Sequence, residues 1–70
     1  MDSNYSRAFG ERLARVMERR GTSATELAWA VGAHVNTVRN WTSGRNLPRL
    51  DQLPEIRRSL GCSYRDLLGK

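Results

Sequence analysis

Segment 23–44, SATELAWAVGAHVNTVRNWTSG, leaves this chain few ways to fold. It reads as two short helices joined by one tight turn. The Ser23 hydroxyl can cap a helix whose third residue, Glu26, reaches back to the Ser23 N–H, the reciprocal pairing of a capping box. Leu27, Ala28 and Val31 then share one face. Gly32 follows directly, and glycine takes at little cost the left-handed conformation that closes a helix and turns the chain. In the second helix Val38 and Trp41 point back at the first. Two helices meeting steeply over a turn of a few residues bring their backbones close, which suits the small Ala28.

The other side of the second helix carries Asn36, Arg39, Asn40 and Ser43 at i, i+3, i+4 and i+7. A solvated helix face usually holds Glu and Lys, so a polar but nearly uncharged stripe calls for another use. Base edges provide one. Asn pairs bidentately with adenine N6/N7 and Arg with guanine O6/N7, and a helix has the diameter to enter the major groove. Val35 offers only apolar contact, to a thymine methyl for instance, or else packs beside Val38.

The flanks read as three further helices. Residues 2–5 are expected to fray and the first helix to run over 6–20, stopped by Gly21. Its Phe9, Leu13, Val16 and Met17 recur with helical period and form a buried stripe. Arg12, Arg15 and Arg19, interleaved with Glu11 and Glu18, read as a solvated face. Residues 44–49, GRNLPR, form a loop that places Arg45, Asn46 and Arg49 just after the polar helix, in position to touch phosphates. Leu47 and Leu50 are expected to turn inward. Pro54 would break a helix begun at Arg49, so the fourth helix is predicted over 51–60, with Asp51 as its cap and Pro54 in its first turn. Leu53, Ile56 and Leu60 form its inner side and Gly61 its end. Ser63 and Asp66 suggest a cap for a last helix over 64–68, with Leu67 and Leu68 covering the core. No alternating run predicts a strand, and there are no repeats.

Seventy residues suffice for one domain, near the lower limit for an unstapled core. The lone Cys62 excludes an internal disulfide, and one histidine, His34, leaves no cluster for a metal. No run has the length of a membrane span, and MDSNYSRAFG lacks the apolar centre of a signal peptide, so a cytoplasmic setting is expected. The net charge of +5 favours a polyanionic partner. No carboxylate pair, Gly-rich phosphate loop or nucleophile motif supports an enzyme, and no cofactor is expected.

Taken with their flanks, these segments resemble the Cro and phage-repressor-like, or Xre, family of helix-turn-helix domains. The resemblance runs through FGERLARVMERRG, GTSATELA, TVRNWTSGRNLP and SLGCSYRDLL, and rests on Ala28, Gly32, Val38 and Trp41 at the family's spacing. It implies an all-α, five-helix lambda-repressor-like domain over 1–70, with residues 1–4 frayed and the helix-turn-helix at about 23–43. It also implies a lambda-repressor-like regulator that binds double-stranded DNA sequence-specifically and thereby represses or activates transcription, with a recognition helix at about 35–43 in the major groove. Base reading then falls to Val35, Asn36, Arg39 and Asn40. Phosphate contacts fall to Ser23, the backbone N–H groups at Ala24, and His34, Ser43, Arg45, Asn46 and Arg49.

The chain departs from the family pattern at several positions. Ala24 stands where relatives carry a phosphate-bonding Gln, Thr42 replaces a common Glu, and Trp29 and Ala30 replace an outer charged pair. A homodimer weak in solution and firm on DNA is expected, with contact through Tyr64 and its neighbours. The alternative is a protein-interaction module of the same fold that uses an exposed Trp29 and binds no specific DNA.

Overall fold

Each amphipathic run becomes a helix because its apolar face has a partner to bury against. The computed structural model describes residues 3–69: α1 (Ser3–Arg20), α2 (Ala24–Val31), α3 (Val35–Thr42), α4 (Leu53–Leu60) and α5 (Tyr64–Leu68), with no strand among the described residues. Helix α1 is the spine. It packs on α3 and on α5, while α2 lies between α3 and α4. Phe9, Leu13, Val16 and Met17 of α1 meet Leu27, Ala28, Val38, Trp41, Ile56, Leu60 and Leu67 in one buried cluster, and no polar side chain is buried with them among the described residues.

Helix α1 starts at Ser3, earlier than the expected Ser6, so the fraying expected of residues 3–5 is not what the structure has. Nothing in Ser3, Asn4 or Tyr5 breaks a helix. Tyr5 also lies one turn before Phe9 and, with Ala8, Phe9, Arg12, Leu47, Leu67 and Leu68, lines a largely apolar cavity of about 220 Å³. Residues 1 and 2 of the expected frayed segment lie outside the described residues.

One residue to which the sequence attached no role fixes the spine against α3. Gly10 is buried inside α1, and a Cβ there would run into the Trp41 carbonyl oxygen and come within 2.9 Å of that of Thr42 and 3.1 Å of the Gly44 nitrogen. The backbones of α1 and α3 thus touch where only a hydrogen fits. Gly32 answers a different demand. Its φ of +70° ends α2 in the left-handed region, and the Ala33 N–H donates back to the Ala28 carbonyl at 2.9 Å. No atom would meet a Cβ at Gly32, so the requirement there is conformational alone.

Between α3 and α4 the chain departs from expectation. Leu47 and Leu50 point out, 50% and 84% exposed. Arg49 is extended at φ −69° and ψ 158°, and a 3-10 turn over Leu50–Gln52 precedes α4. The buried cluster is complete without the two leucines, and Leu47 lines the apolar cavity beside Leu67 and Leu68 instead. Helix α4 begins at Leu53, later than predicted, with Pro54 in its first turn where no N–H is needed. Asp51 does not cap it. The Gln52 side chain instead accepts from the Arg49 N–H at 2.8 Å, and Asp51 pairs with the Arg49 side chain at 3.1 Å. Leu68, expected over the core, is 45% exposed, whereas Leu67 is fully buried.

Helix α5 is held by its cap. Ser63 Oγ accepts from the Asp66 N–H and Asp66 Oδ2 from the Ser63 N–H, both at 3.1 Å. The bond from the Ser63 backbone outweighs desolvation and holds the Asp66 carboxyl below its ordinary value of 3.8, with the Ser63 hydroxyl, Arg19 and Arg20 adding to the effect. A depressed folded value means the cap stabilises fully above the unfolded aspartate value and is lost as pH falls through the folded one. An NMR titration of Asp66 should therefore give a midpoint under 3.8. A midpoint at or above that of free aspartate would mean that the cap does not form in solution.

Candidate nucleic-acid interface

The polar stripe is built by the packing of its opposite face. Val38 and Trp41 are fully buried, and burying them turns Asn36 and Arg39 outward and leaves Asn40 half-exposed. Among the described residues no carboxylate lies within ion-pair distance of Arg39 or Arg45, so neither charge is offset by an internal ion pair. Val35 is half-buried and packs against the core, the second of the two uses its sequence position allowed. Only its remaining exposed part faces outward with the stripe.

The ends of the stripe are fixed by backbone bonds. Ser43 caps α3, its N–H donating to the Arg39 carbonyl at 3.0 Å and its hydroxyl to the Asn40 carbonyl at 3.2 Å. The N–H groups of Arg45 and Asn46 also reach Asn40, at 2.9 and 3.2 Å, so the chain curls back under the helix end and leaves both side chains exposed. Thr42, in place of a charged residue, donates its hydroxyl to the Arg39 carbonyl at 3.1 Å. Arg49 is exposed but pairs with Asp51 at 3.1 Å, an ion pair that any anion must compete with. His34 precedes α3 in extended conformation, exposed and without a side-chain capping bond.

At the other edge, Ser23 and Glu26 form the expected capping box, with Ser23 Oγ accepting from the Glu26 N–H at 3.1 Å and Glu26 Oε1 from the Ser23 N–H at 2.8 Å. The Ser23 hydroxyl hydrogen remains available to an outside acceptor. The side chain of Ala24 packs on the core, while its N–H, at the first position of α2, has no intrahelical acceptor. Ser23, Asn36, Arg39, Arg45 and Asn46 thus present free groups along one helix pair and its two flanking turns.

Trp29 is 85% exposed on α2, as its place off the buried face required. No described helix is long and apolar enough to cross a membrane, and no group of three or more His, Cys, Asp or Glu that could hold a metal occurs among the described residues. One contributor escaped the sequence reading. Gly10 sets how close α3 lies to α1, and an isolated glycine inside a strongly periodic helix was its signal.

The model of one protein family, the Cro/C1-type HTH DNA-binding domain, matches residues 12–69, which takes in everything from the middle of α1 to the end of α5. No curated protein matches the chain.

Proposed function

The chain belongs to the family of Cro/C1-type HTH DNA-binding domains, and on that footing we propose that it acts in the regulation of transcription, repressing or activating, by reading a specific duplex sequence through α3. The observation that carries this reading is the polar, carboxylate-free stripe of Asn36, Arg39 and Asn40, turned out by a fully buried Val38 and Trp41. In the proposed complex α3 lies in the major groove. Asn36, Arg39 and Asn40 read base edges, with Val35 limited to apolar contact. Ser23, the Ala24 N–H, His34, Ser43, Arg45, Asn46 and Arg49 fix the register through phosphates, Arg49 on release from Asp51 and the Ser43 hydroxyl on release from the Asn40 carbonyl. Selection of bound sequences from a random duplex pool tests it: a recovered consensus supports the reading, and an unenriched pool overturns it.

We propose further that two copies bind two half-sites about 34 Å apart, one helical turn. The Tyr64 ring carries the Arg57 guanidinium 5.2 Å from its centroid and is still 42% exposed, so the contact is assigned to Tyr64 together with the exposed Leu47, Leu50 and Leu68. Two of these belong to the loop that carries Arg45 and Arg49, beside the proposed phosphate contacts. Like charges of +5 oppose the pair in solution and are neutralised on DNA. Sedimentation should show a monomer at micromolar protein and two copies per duplex. A dimer persisting at nanomolar protein without DNA would contradict the weak-dimer claim. A partner-protein module remains the second reading because Trp29 is 85% exposed. Its sign would be an unenriched duplex pool together with a binding partner that protects Trp29 from iodide quenching.

A further inference from the structure

We infer that Arg20 and Arg57 form a second phosphate-holding cluster, which extends the grip on duplex DNA past the start of α2; this rests on the proposed reading of α3.

The two side chains come from the ends of different helices and border the same turn, Arg20 at Gly61 and Arg57 at Tyr64. Arg20 ends α1 and donates to the Gly61 carbonyl at 2.7 Å. Arg57 lies in the last turn of α4 and stacks its guanidinium on the Tyr64 ring at 5.2 Å. Both anchors are electrically neutral, a carbonyl and an aromatic face, and among the described residues neither guanidinium has a carboxylate within ion-pair distance to offset its charge. A long cationic side chain loses rotamer entropy when it grips an anion, and side chains held in advance lose less. Asp66, the carboxylate nearest this turn, is occupied as the cap of α5, and its contact with Arg19 is at 4.0 Å.

Position selects duplex DNA over an acidic protein segment. Arg20 stands three residues before Ser23, the cap of α2, so their Cα atoms are at most roughly 10 Å apart. That separation is bridged by an arginine side chain reaching the next phosphate along a strand whose contact begins at Ser23. Helix α4, which carries Arg57, packs against α2. An acidic peptide would need a pocket for its side chains beside the cations. The cavity found lies elsewhere, lined by Tyr5, Ala8 and Phe9 in the first half of α1. The sequence hides this cluster because Arg20 comes to the turn after α4 only when α1 and α4 are packed.

The test is the affinity for a selected and a random duplex at several salt concentrations, for wild type, Arg20→Gln, Arg57→Gln and Arg20→Lys, each first checked for its thermal transition. Each Gln variant should bind both duplexes more weakly and lower the slope of log K against log salt by about one unit. Arg20→Lys should keep the slope. Ethylation interference should lose one or two phosphates beyond the Ser23 contact in the Gln variants. An unchanged slope and footprint in both correctly folded Gln variants would overturn the inference, as would binding of a polyglutamate peptide that competes with no phosphate contact. Should the wild type show no preferred sequence while the slopes still fall, the reading of α3 fails and the cluster stands.

Discussion

Gly10→Ala is expected to destabilise the protein by about 2 kcal/mol, although alanine is the better helix former by roughly 1 kcal/mol in a helix interior. The added Cβ would collide with the Trp41 carbonyl oxygen and lie 2.9 Å from that of Thr42. Both are backbone atoms of α3, so no side-chain rotation relieves the clash, and α1 must lift away from α3. Overpacking of this kind costs typically 1–3 kcal/mol, and a rigid backbone obstacle belongs at or above the upper end. For a domain of this size the loss corresponds to a fall in Tm of roughly 10 °C. Gly21→Ala is the control. Gly21 has φ +66° and nothing within 4 Å of a built Cβ, so it should lose only the strain of a left-handed alanine, about 1 kcal/mol. Calorimetry of the two variants decides the matter. A Gly10→Ala protein as stable as wild type or more so would mean that helix propensity, not the contact with α3, governs this position.

Arg39→Ala and Arg45→Ala should fail in different ways. Both guanidinium groups are exposed and free of carboxylates among the described residues, so the difference lies in what each would meet. Arg39 projects from the stripe of α3, where a bidentate pair with guanine is worth about 1–3 kcal/mol of discrimination, or roughly 5- to 150-fold. Its removal should weaken the selected site by that factor and affect random duplex much less. Arg45 follows the end of α3, with its N–H held by the Asn40 carbonyl at 2.9 Å, and its removal should weaken both duplexes alike. For Arg45→Ala the salt dependence of log K should become shallower by about one unit, because one fewer counterion is released. Equal losses on both duplexes and a flatter slope for Arg39→Ala would make Arg39 a backbone contact. The reading face would then have to rotate toward Asn36.

Where the information was local, the sequence was enough to read it. The capping boxes at Ser23 and Ser63 each use bonds between residues three apart, the left-handed end at Gly32 is a property of one residue, and the buried faces of Leu27, Ala28, Val38 and Trp41 follow from helical period. Fold class, the helix-turn-helix and the outward stripe of Asn36, Arg39 and Asn40 all follow from such short-range constraints. The features that depend on how much space another element leaves were decided by the tertiary structure. Leu47 and Leu50 look like core residues by type, but the buried cluster closes through Trp41, Ile56, Leu60 and Leu67 without them, and they face out. Gly10 is needed because α3 happens to cross α1 there, and Arg20 comes to Gly61 across 41 residues of chain. Periodicity records which side of a helix is buried. It carries no record of which neighbour comes closest, because that distance is set by the packing of all five helices together.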